Sequence, residues 1–431
     1  MSKLTENQTL ERLMSQFGAT KKAMGKPMQL LQRVKTNRQD RLFLFGRDDV
    51  VTVAPADDAV QPVLAEFDMG SGVINPAAQL MLDDYAREVK VIQDGGVEEE
   101  WQPLTAEPEE YIAPMFPEIS WHQHEPFNNN LEFVEVKPTK GLVEKCIVGC
   151  PSTALSQLMY YFAKKGWIRG CVAAPDYTSK VIDGYQFKVT GEDARTSFDF
   201  ANMLDIYTRR KGAKYVDVVT YTPEQAQAVA DLCAHVGKAM QMKYSPTGSG
   251  QQPEQIADAM ENKLHLGHVT IYSQPRDEDV YNTLYLDKVK DALRNGIPVV
   301  ICGWTGITKT AGGHCFLVEG YRPSDDTYYI NWGWGKGFND GWFKMSLLSY
   351  AKKQTSFNFS YMKKFLILDK RPSWAMDVNG DDYINMSDVT KVITDKTGDP
   401  MYDVDYDGVV KAKDANAIIN KVLGKDIEGG N

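Results

Sequence analysis

The sequence predicts an α+β protein in three parts, and three observations predict it. Helical and strand-like periodicities are interleaved along most of the 431 residues instead of being confined to one class. Two breaks in composition, an acidic low-complexity stretch at 94–111 and Lys370-Arg371-Pro372, interrupt that pattern. Beyond the second break, two acidic frames recur 26 residues apart in otherwise helical sequence. The expected organisation is a first α+β domain with its linker over 1–112, a central α+β domain over 113–370, and a small helical domain with two loops over 371–431. A chain this long exceeds one ordinary core, so several domains are expected on size alone.

Taken in order, the first block opens with a polar helical stretch, then reads as strands at LFLFG and DVVTVAPA. A helix follows at 76–91, where Leu80, Leu82, Tyr85 and Val89 recur at about helical spacing. The linker at 94–111 is a natural proteolysis site. In the central block, Ala154, Leu155, Leu158, Met159 and Phe162 make one buried helical stripe that ends at Lys164-Lys165-Gly166. Later, HCFLVEGY and DTYYINWGW are two strands separated by the turn-forming Arg322-Pro323-Ser324-Asp325.

Bulk composition narrows the function. With 58 acidic against 48 basic residues the net charge is −10. Nucleic acid or an anionic membrane would demand a basic face, so neither is expected as the main partner. No apolar run approaches the roughly 18 residues that span a bilayer. The opening MSKLTENQTLERL lacks the apolar centre of a secretion signal, so the chain reads as cytosolic or as written without its export signal. Its six cysteines, Cys146, Cys150, Cys171, Cys233, Cys302 and Cys315, do not form a dense disulfide framework. Five read as small buried hydrophobes.

Cys150 is the exception. Gly149 and Pro151 bracket it, and Pro suits a first helical turn, so Cys150 falls at a helix N-terminus, where dipole and free amides favour a thiolate. The competing reading is a buried structural cysteine at a helix cap. His314 opens a strand after Gly312 and Gly313, which leave room for a substrate backbone. None of the other histidines, His122, His124, His235, His265 and His268, has a comparable strand-turn-strand setting. The midpoint of His314 and Asn331, (314 + 331)/2 = 322.5, falls near the turn, so a hairpin brings Asn331 beside the imidazole. Gln123, 27 residues before Cys150, is placed to help bind an oxyanion. His122 and His124 beside it suggest a metal site only weakly, lacking partners at ligand spacing.

These segments resemble the streptopain family of papain-like cysteine peptidases. The resemblance lies in WHQHEPFN, VGCPSTALSQLM, GGHCFLVEG and INWGWG, supported by SFDFANML at 197–204, the stretch at 228–250 and GWFKMSLL at 341–348. It implies Cys150 as nucleophile, His314 as base, Gln123 in the oxyanion hole, and Asn331 with Trp332 as orienter and cover of the imidazole. It further implies Ser249 and Gly313 in the substrate cleft, with Trp304 a cleft wall or ordinary core. Pro151 and Cys315 depart from the pattern without removing a catalytic group. The first block, through 48–72, is similar to the family's propeptide, so an independently folded block covering the cleft until its linker is cut is expected; a permanent accessory domain is the alternative.

In the last part, Asp377, Asn379, Asp381, Tyr383, Asn385 and Asp388 occupy positions 1, 3, 5, 7, 9 and 12 of a calcium loop, Tyr383 through its carbonyl. Asp403, Asp405, Asp407, Val409, Lys411 and Asp414 repeat the frame, and Lys411 cannot ligate by its side chain. Asp at position 12 resembles type I dockerin modules, which implies structural calcium and a cohesin-like partner; the competing reading is a solvated acidic tail. The whole reads as a secreted or periplasmic zymogen of a cysteine endopeptidase acting on peptides. The alternatives are a catalytically silent peptide-binding protein docked through its tail, and an enzyme of the same fold that passes the acyl group to an amine.

Overall fold

The computed structural model describes residues 3–16, 27–95, 110–135, 141–168, 173–182, 184–194, 197–211, 214–273, 284–304, 313–345, 362–370, 376–379, 381, 383–398, 402–404 and 409–424. The linker expected at 94–111 lies almost wholly outside them.

The first block contributes α1 (Glu6–Gln16), β1 (Gln29–Thr36), β2 (Gln39–Arg47), β3 (Val50–Pro55), β4 (Ala65–Asp68) and α2 (Pro76–Gln93). Three short pairs follow around the central helices: β5 (Phe133–Glu135) with β6 (Val143–Lys145), β7 (Tyr177–Thr178) with β8 (Lys188–Val189), and β9 (Thr208–Lys211) with β10 (Lys214–Asp217). The central helices are α3 (Cys150–Lys164), α4 (Pro223–Ala239), α5 (Pro253–Asn262) and α6 (Leu284–Arg294). The remaining strands are β11 (Val269–Ser273), β12 (Val299–Trp304), β13 (Gly313–Arg322), β14 (Thr327–Asn331), β15 (Gly341–Phe343) and β16 (Met362–Leu368), and the tail holds α7 (Met386–Thr394) and α8 (Ala412–Val422).

One antiparallel sheet of ten strands, in the order β1-β2-β3-β4-β15-β14-β13-β12-β16-β11, runs through both large blocks. The first block, expected as a separate unit, is thus joined to the central one through the sheet. β4 pairs with β15, Phe67 opposite Gly341 and Ala65 opposite Phe343, and the rings of Phe67 and Phe343 stack at 5.4 Å. Period-two alternation explains the doubly covered strands of that block. Leu42 and Leu44 of β2 join the main core with α2, while Phe43 and Phe45 face the other way and pack with Leu13 of α1.

The tail has its own small core. Val378, Val389 and Val392 of the first repeat meet Val404, Ala415 and Ile418, their counterparts 26 residues on. Because each repeat offers only one apolar face, the pair is the smallest unit that buries both.

Candidate active site

Gly149 fixes where α3 begins. Its φ of +86° favours glycine, and a Cβ there would lie 2.8 Å from the Ser249 carbonyl oxygen and 2.5 Å from Met242 Cε. Pro151 occupies the first turn. From Pro151 to Phe162 the helix is buried on every side, as a central helix must be. Cys150 thus stands partly exposed at the fixed end of a core helix, and its sulfur accepts the backbone N–H of Cys315 at 3.3 Å.

His314, the second residue of β13, is buried. Its Nε2 lies 2.8 Å from the Trp332 carbonyl oxygen and 3.0 Å from Trp334 Nε1. One ring nitrogen cannot donate to the first and accept from the second at once. With the proton on Nε2 the carbonyl is bonded and Nδ1 keeps its lone pair, which is the form a general base needs. In the other tautomer the Trp334 indole donates to Nε2 and Nδ1 carries the proton.

Burial sets the charge states. It pushes the Cys150 thiol up to about 12, although the Cys315 N–H pulls the other way. It pushes His314 down to about 4, with the Trp332 carbonyl opposing. The hydrogen bond on the Cys150 sulfur comes from a backbone amide and not from the imidazole. Near neutral pH both groups are therefore uncharged, and the thiolate–imidazolium pair is unformed in this arrangement.

A cysteine at a helix start against the strand that carries a carbonyl-anchored histidine agrees with what comparison finds. Residues 121–343 match the sequence model of the peptidase C10 family. The chain belongs to that family. It is 26% identical over 336 residues to the thiol protease/hemagglutinin PrtT of Porphyromonas gingivalis, covering 72% of this chain and 35% of PrtT. It is 24% identical over 241 residues to streptopain of Streptococcus pyogenes, covering 54% of each. The chain thus spans about half or less of the length of these relatives. A fragment of Prevotella intermedia prointerpain A shares the fold with a TM-score of 0.59 at 22% identity, over 80% of this chain and 99% of that one.

Within this C10 chain one expected orienter acts at one remove. Asn331 makes no direct hydrogen bond to the imidazole and instead holds the N–H of the Trp332–Gly333 peptide, whose carbonyl does. Its amide donates to the Ile119 carbonyl at 2.9 Å, and its oxygen accepts from Gln157 at 3.2 Å and from the Gly333 N–H at 3.0 Å. The reason is register: Asn331 pairs with Leu317, three residues beyond His314. The Trp332 carbonyl makes the direct contact, and the Trp332 indole centroid lies 6.3 Å from that of the imidazole with the planes 30° apart. Gln123 stands beside the nucleophile, because its carbonyl accepts the Val148 N–H at 3.0 Å, and its side chain makes no hydrogen bond.

Gly313 is exposed at the start of β13 and pairs with Trp304; the Trp304 side chain and Gly312 lie outside the description. Ser249 packs under Gly149, and its hydroxyl proton is committed to the Ser245 carbonyl while its oxygen accepts the Ser245 N–H. His122 is no ligand: Nε2 pairs with Thr208 Oγ1 at 2.6 Å, Nδ1 accepts the His124 N–H, and the ring stacks on Tyr215.

Three residues escaped the sequence reading. Trp334, the second Trp of NWGWG, reaches the imidazole. Gln157, inside the ALSQLM run, accepts the Trp121 N–H at 2.9 Å and bonds Asn331. Asp340 accepts the Trp332 N–H on Oδ1 at 2.8 Å and the Ser120 hydroxyl on Oδ2 at 3.0 Å. It holds the N–H of the residue whose carbonyl anchors His314, yet in sequence it reads as one more turn residue of FNDG.

In the tail, Asp377, Asp388, Asp403 and Asp414 are buried. Asp388 accepts the Asn379 and Asn385 N–H groups, Asp377 accepts that of Asp381, and Asp381 that of Tyr383. Asn385 accepts the Ser387 N–H as the cap of α7. Asp414 accepts the Val404 and Lys411 N–H groups, while Val409 is exposed; Asp405 and Asp407 lie outside the described residues. Among the described residues no three acidic, histidine or cysteine side chains converge on one point.

Proposed function

We propose that the chain is the exported zymogen of a cysteine endopeptidase, with Cys150 as nucleophile and His314 as base. One observation carries this reading: the Cys150 sulfur lies against the backbone of the residue that follows a histidine whose Nε2 is anchored on a carbonyl. That anchor reserves Nδ1 for a proton. In the working enzyme Nδ1 takes the Cys150 proton, and the thiolate attacks the carbonyl carbon of a peptide bond. The oxyanion is bound by the Gln123 amide and by the Cys150 N–H, a helix-start donor with no intrahelical partner. His314 then protonates the leaving amine, and water, giving its proton to His314, releases the acyl group and restores the thiol.

The first block supports latency, because it bonds the loop that holds the catalytic imidazole. The Asp68 N–H donates to the Asp340 carbonyl, Asn339 to the Asp68 carbonyl, the Ser71 N–H to the Gly337 carbonyl, and Asn75 bonds both Asn339 and Phe338. In the tail, an oxygen-only donor set that includes the buried carboxylates of Asp377, Asp388, Asp403 and Asp414 fits a hard divalent cation. Asp377, Asn379, Asp381, Asn385 and Asp388 with the Tyr383 carbonyl would hold one calcium; Asp403, Asp405, Asp407 and Asp414 with the Val409 carbonyl would hold the other. Calcium there would order α7 and α8 as a docking face for a cohesin-like protein. An extracellular calcium supply favours export.

The test is labelling by an epoxysuccinyl thiol reagent before and after cleavage in 94–111 with removal of the released block. Labelling of Cys150 that appears only after removal, and is lost in His314→Ala, supports the reading. No labelling of the freed enzyme sinks it.

A further inference from the structure

A second thiol chemistry sits beside the nucleophile. Cys302 of β12 lies directly opposite Cys315 of β13, both are buried, and their sulfurs are 3.2 Å apart. Directly opposed residues of an antiparallel pair have Cα atoms about 4.5–5.5 Å apart, inside the ~4.4–6.8 Å that a disulfide spans. Joining the sulfurs needs a shift of about 1 Å and no change of register. Side chains alternate along β13, so Cys315 points away from the face that carries His314, and a bond there leaves the imidazole in place.

The same pair endangers the nucleophile while it is reduced. The Cys315 N–H already touches the Cys150 sulfur at 3.3 Å, and the Cys302 sulfur is 3.2 Å from that of Cys315. Three neighbouring thiols in an oxidant can pair in the wrong combination, and a disulfide to Cys150 removes the nucleophile.

We propose that Cys302 and Cys315 are a modification site that closes to a cross-strand disulfide in oxidising surroundings, and that closure preserves Cys150 by consuming the two thiols able to capture it. With a small-molecule disulfide such as glutathione disulfide as oxidant, one cysteine thiolate attacks the glutathione disulfide and releases one glutathione. The other then attacks the resulting mixed disulfide at the protein sulfur and releases the second. Two thiol protons and two electrons leave the protein, and one disulfide becomes two glutathione thiols. The bridge itself is independent of the peptidase reading; its protective role rests on that reading, so both are read from peptide masses and not from activity.

The full chain is incubated with glutathione disulfide, its remaining thiols are alkylated, and it is digested with trypsin unreduced. Cleavage after Arg294, Lys309 and Lys336, Arg322 being shielded by Pro323, places Cys302 on 295–309 and Cys315 on 310–336, while Cys150 falls on 146–164. The expected product is 295–309 joined to 310–336, with Cys150 still alkylatable. Recovery of both peptides separately and alkylated overturns the bridge, and either one joined to 146–164 through Cys150 overturns the protection. In Cys302→Ala, alkylatable Cys150 is expected to disappear several-fold faster, as a 146–164 to 310–336 crosslink that a dithiol reverses. Equal loss in the two proteins also overturns the protective role. Cys302→Ser, closer in volume to the native residue, repeats that arm should the alanine variant not fold.

Discussion

Replacing Asp340 by Asn separates the charge that holds the Trp332 N–H from the shape that holds it. Asn keeps an oxygen for the Trp332 N–H, and its amide can donate to the Ser120 hydroxyl, so the loop geometry survives while the charge is lost. In the wild type, burial raises the Asp340 carboxyl from 3.8 to about 7, with the Trp332 N–H and Ser120 hydroxyl opposing the rise. A carboxyl whose folded pKa is raised is protonated in the folded chain and ionised in the unfolded one between those two values. The folded state therefore loses stability as pH rises from about 4 to 7. About 3 pKa units would correspond to about 4 kcal/mol. The side chain keeps some solvent contact, so about 2 kcal/mol is the expected size.

Asp340→Asn should accordingly be more stable than wild type at pH 8 by that amount and equal to it near pH 4, by urea denaturation at a series of pH values. Activity should move the other way. A hydrogen bond to a charged acceptor exceeds one to a neutral acceptor by roughly 1–1.5 kcal/mol, so kcat/KM of the freed enzyme should fall about tenfold, through kcat. Parallel stability curves with unchanged kcat would refute the reasoning, because Asp340 would then be neither buried as a charge nor coupled to the imidazole.

Gln123→Ala should cost about 10²–10³ in kcat, as removal of one oxyanion donor does, with no change in melting temperature, since the Gln123 side chain bonds nothing in the folded chain; a loss of stability instead would mark it as structural. With its thiol near 12, Cys150 of the uncut chain should react with iodoacetamide about tenfold faster for each pH unit between 7 and 10. A flat profile there would show a thiolate already formed. Calcium added to the metal-free full chain should raise the melting of 371–431 and protect it from proteolysis. Absence of calorimetric binding would remove calcium from the reading of the tail.

The local elements were legible because each rests on local chemistry. Gly149-Cys150-Pro151 announces a helix start, and α3 begins at Cys150. Arg322-Pro323-Ser324-Asp325 announces a turn, and β13 and β14 flank it. What failed was pairing. The midpoint argument put His314 opposite Asn331, but a bulge between Val318 and Gly320, with a turn centred further along, pairs Asn331 with Leu317. A hairpin's ends cannot be aligned by symmetry when one strand holds an extra residue. Continuing the ladder would set His314 opposite Trp334, which explains why an indole and a backbone carbonyl, and not an amide, meet the imidazole. Nor does the four-residue AEFD of β4 disclose a partner in β15 nearly 280 residues on, because edge pairing is written in backbone groups that every sequence carries.

That edge pairing changes what activation must achieve. A domain that merely plugs a cleft leaves once its tether is cut. Here the first block is the continuation of the sheet through β4 and β15, and five further hydrogen bonds tie its 68–75 segment to the loop that runs from Trp332 to Asp340. At a net value of about 1 kcal/mol each, those bonds alone contribute roughly 5 kcal/mol, before the burial of Phe67 against Phe343 is counted. A nick in the linker removes none of them. The nicked chain should therefore elute as one species in gel filtration and keep a slowly labelled Cys150. Labelling should begin only when mild denaturant or further proteolysis strips the block away. Full labelling immediately on nicking, with the fragments still together, would show that the linker and not the sheet restrains the enzyme.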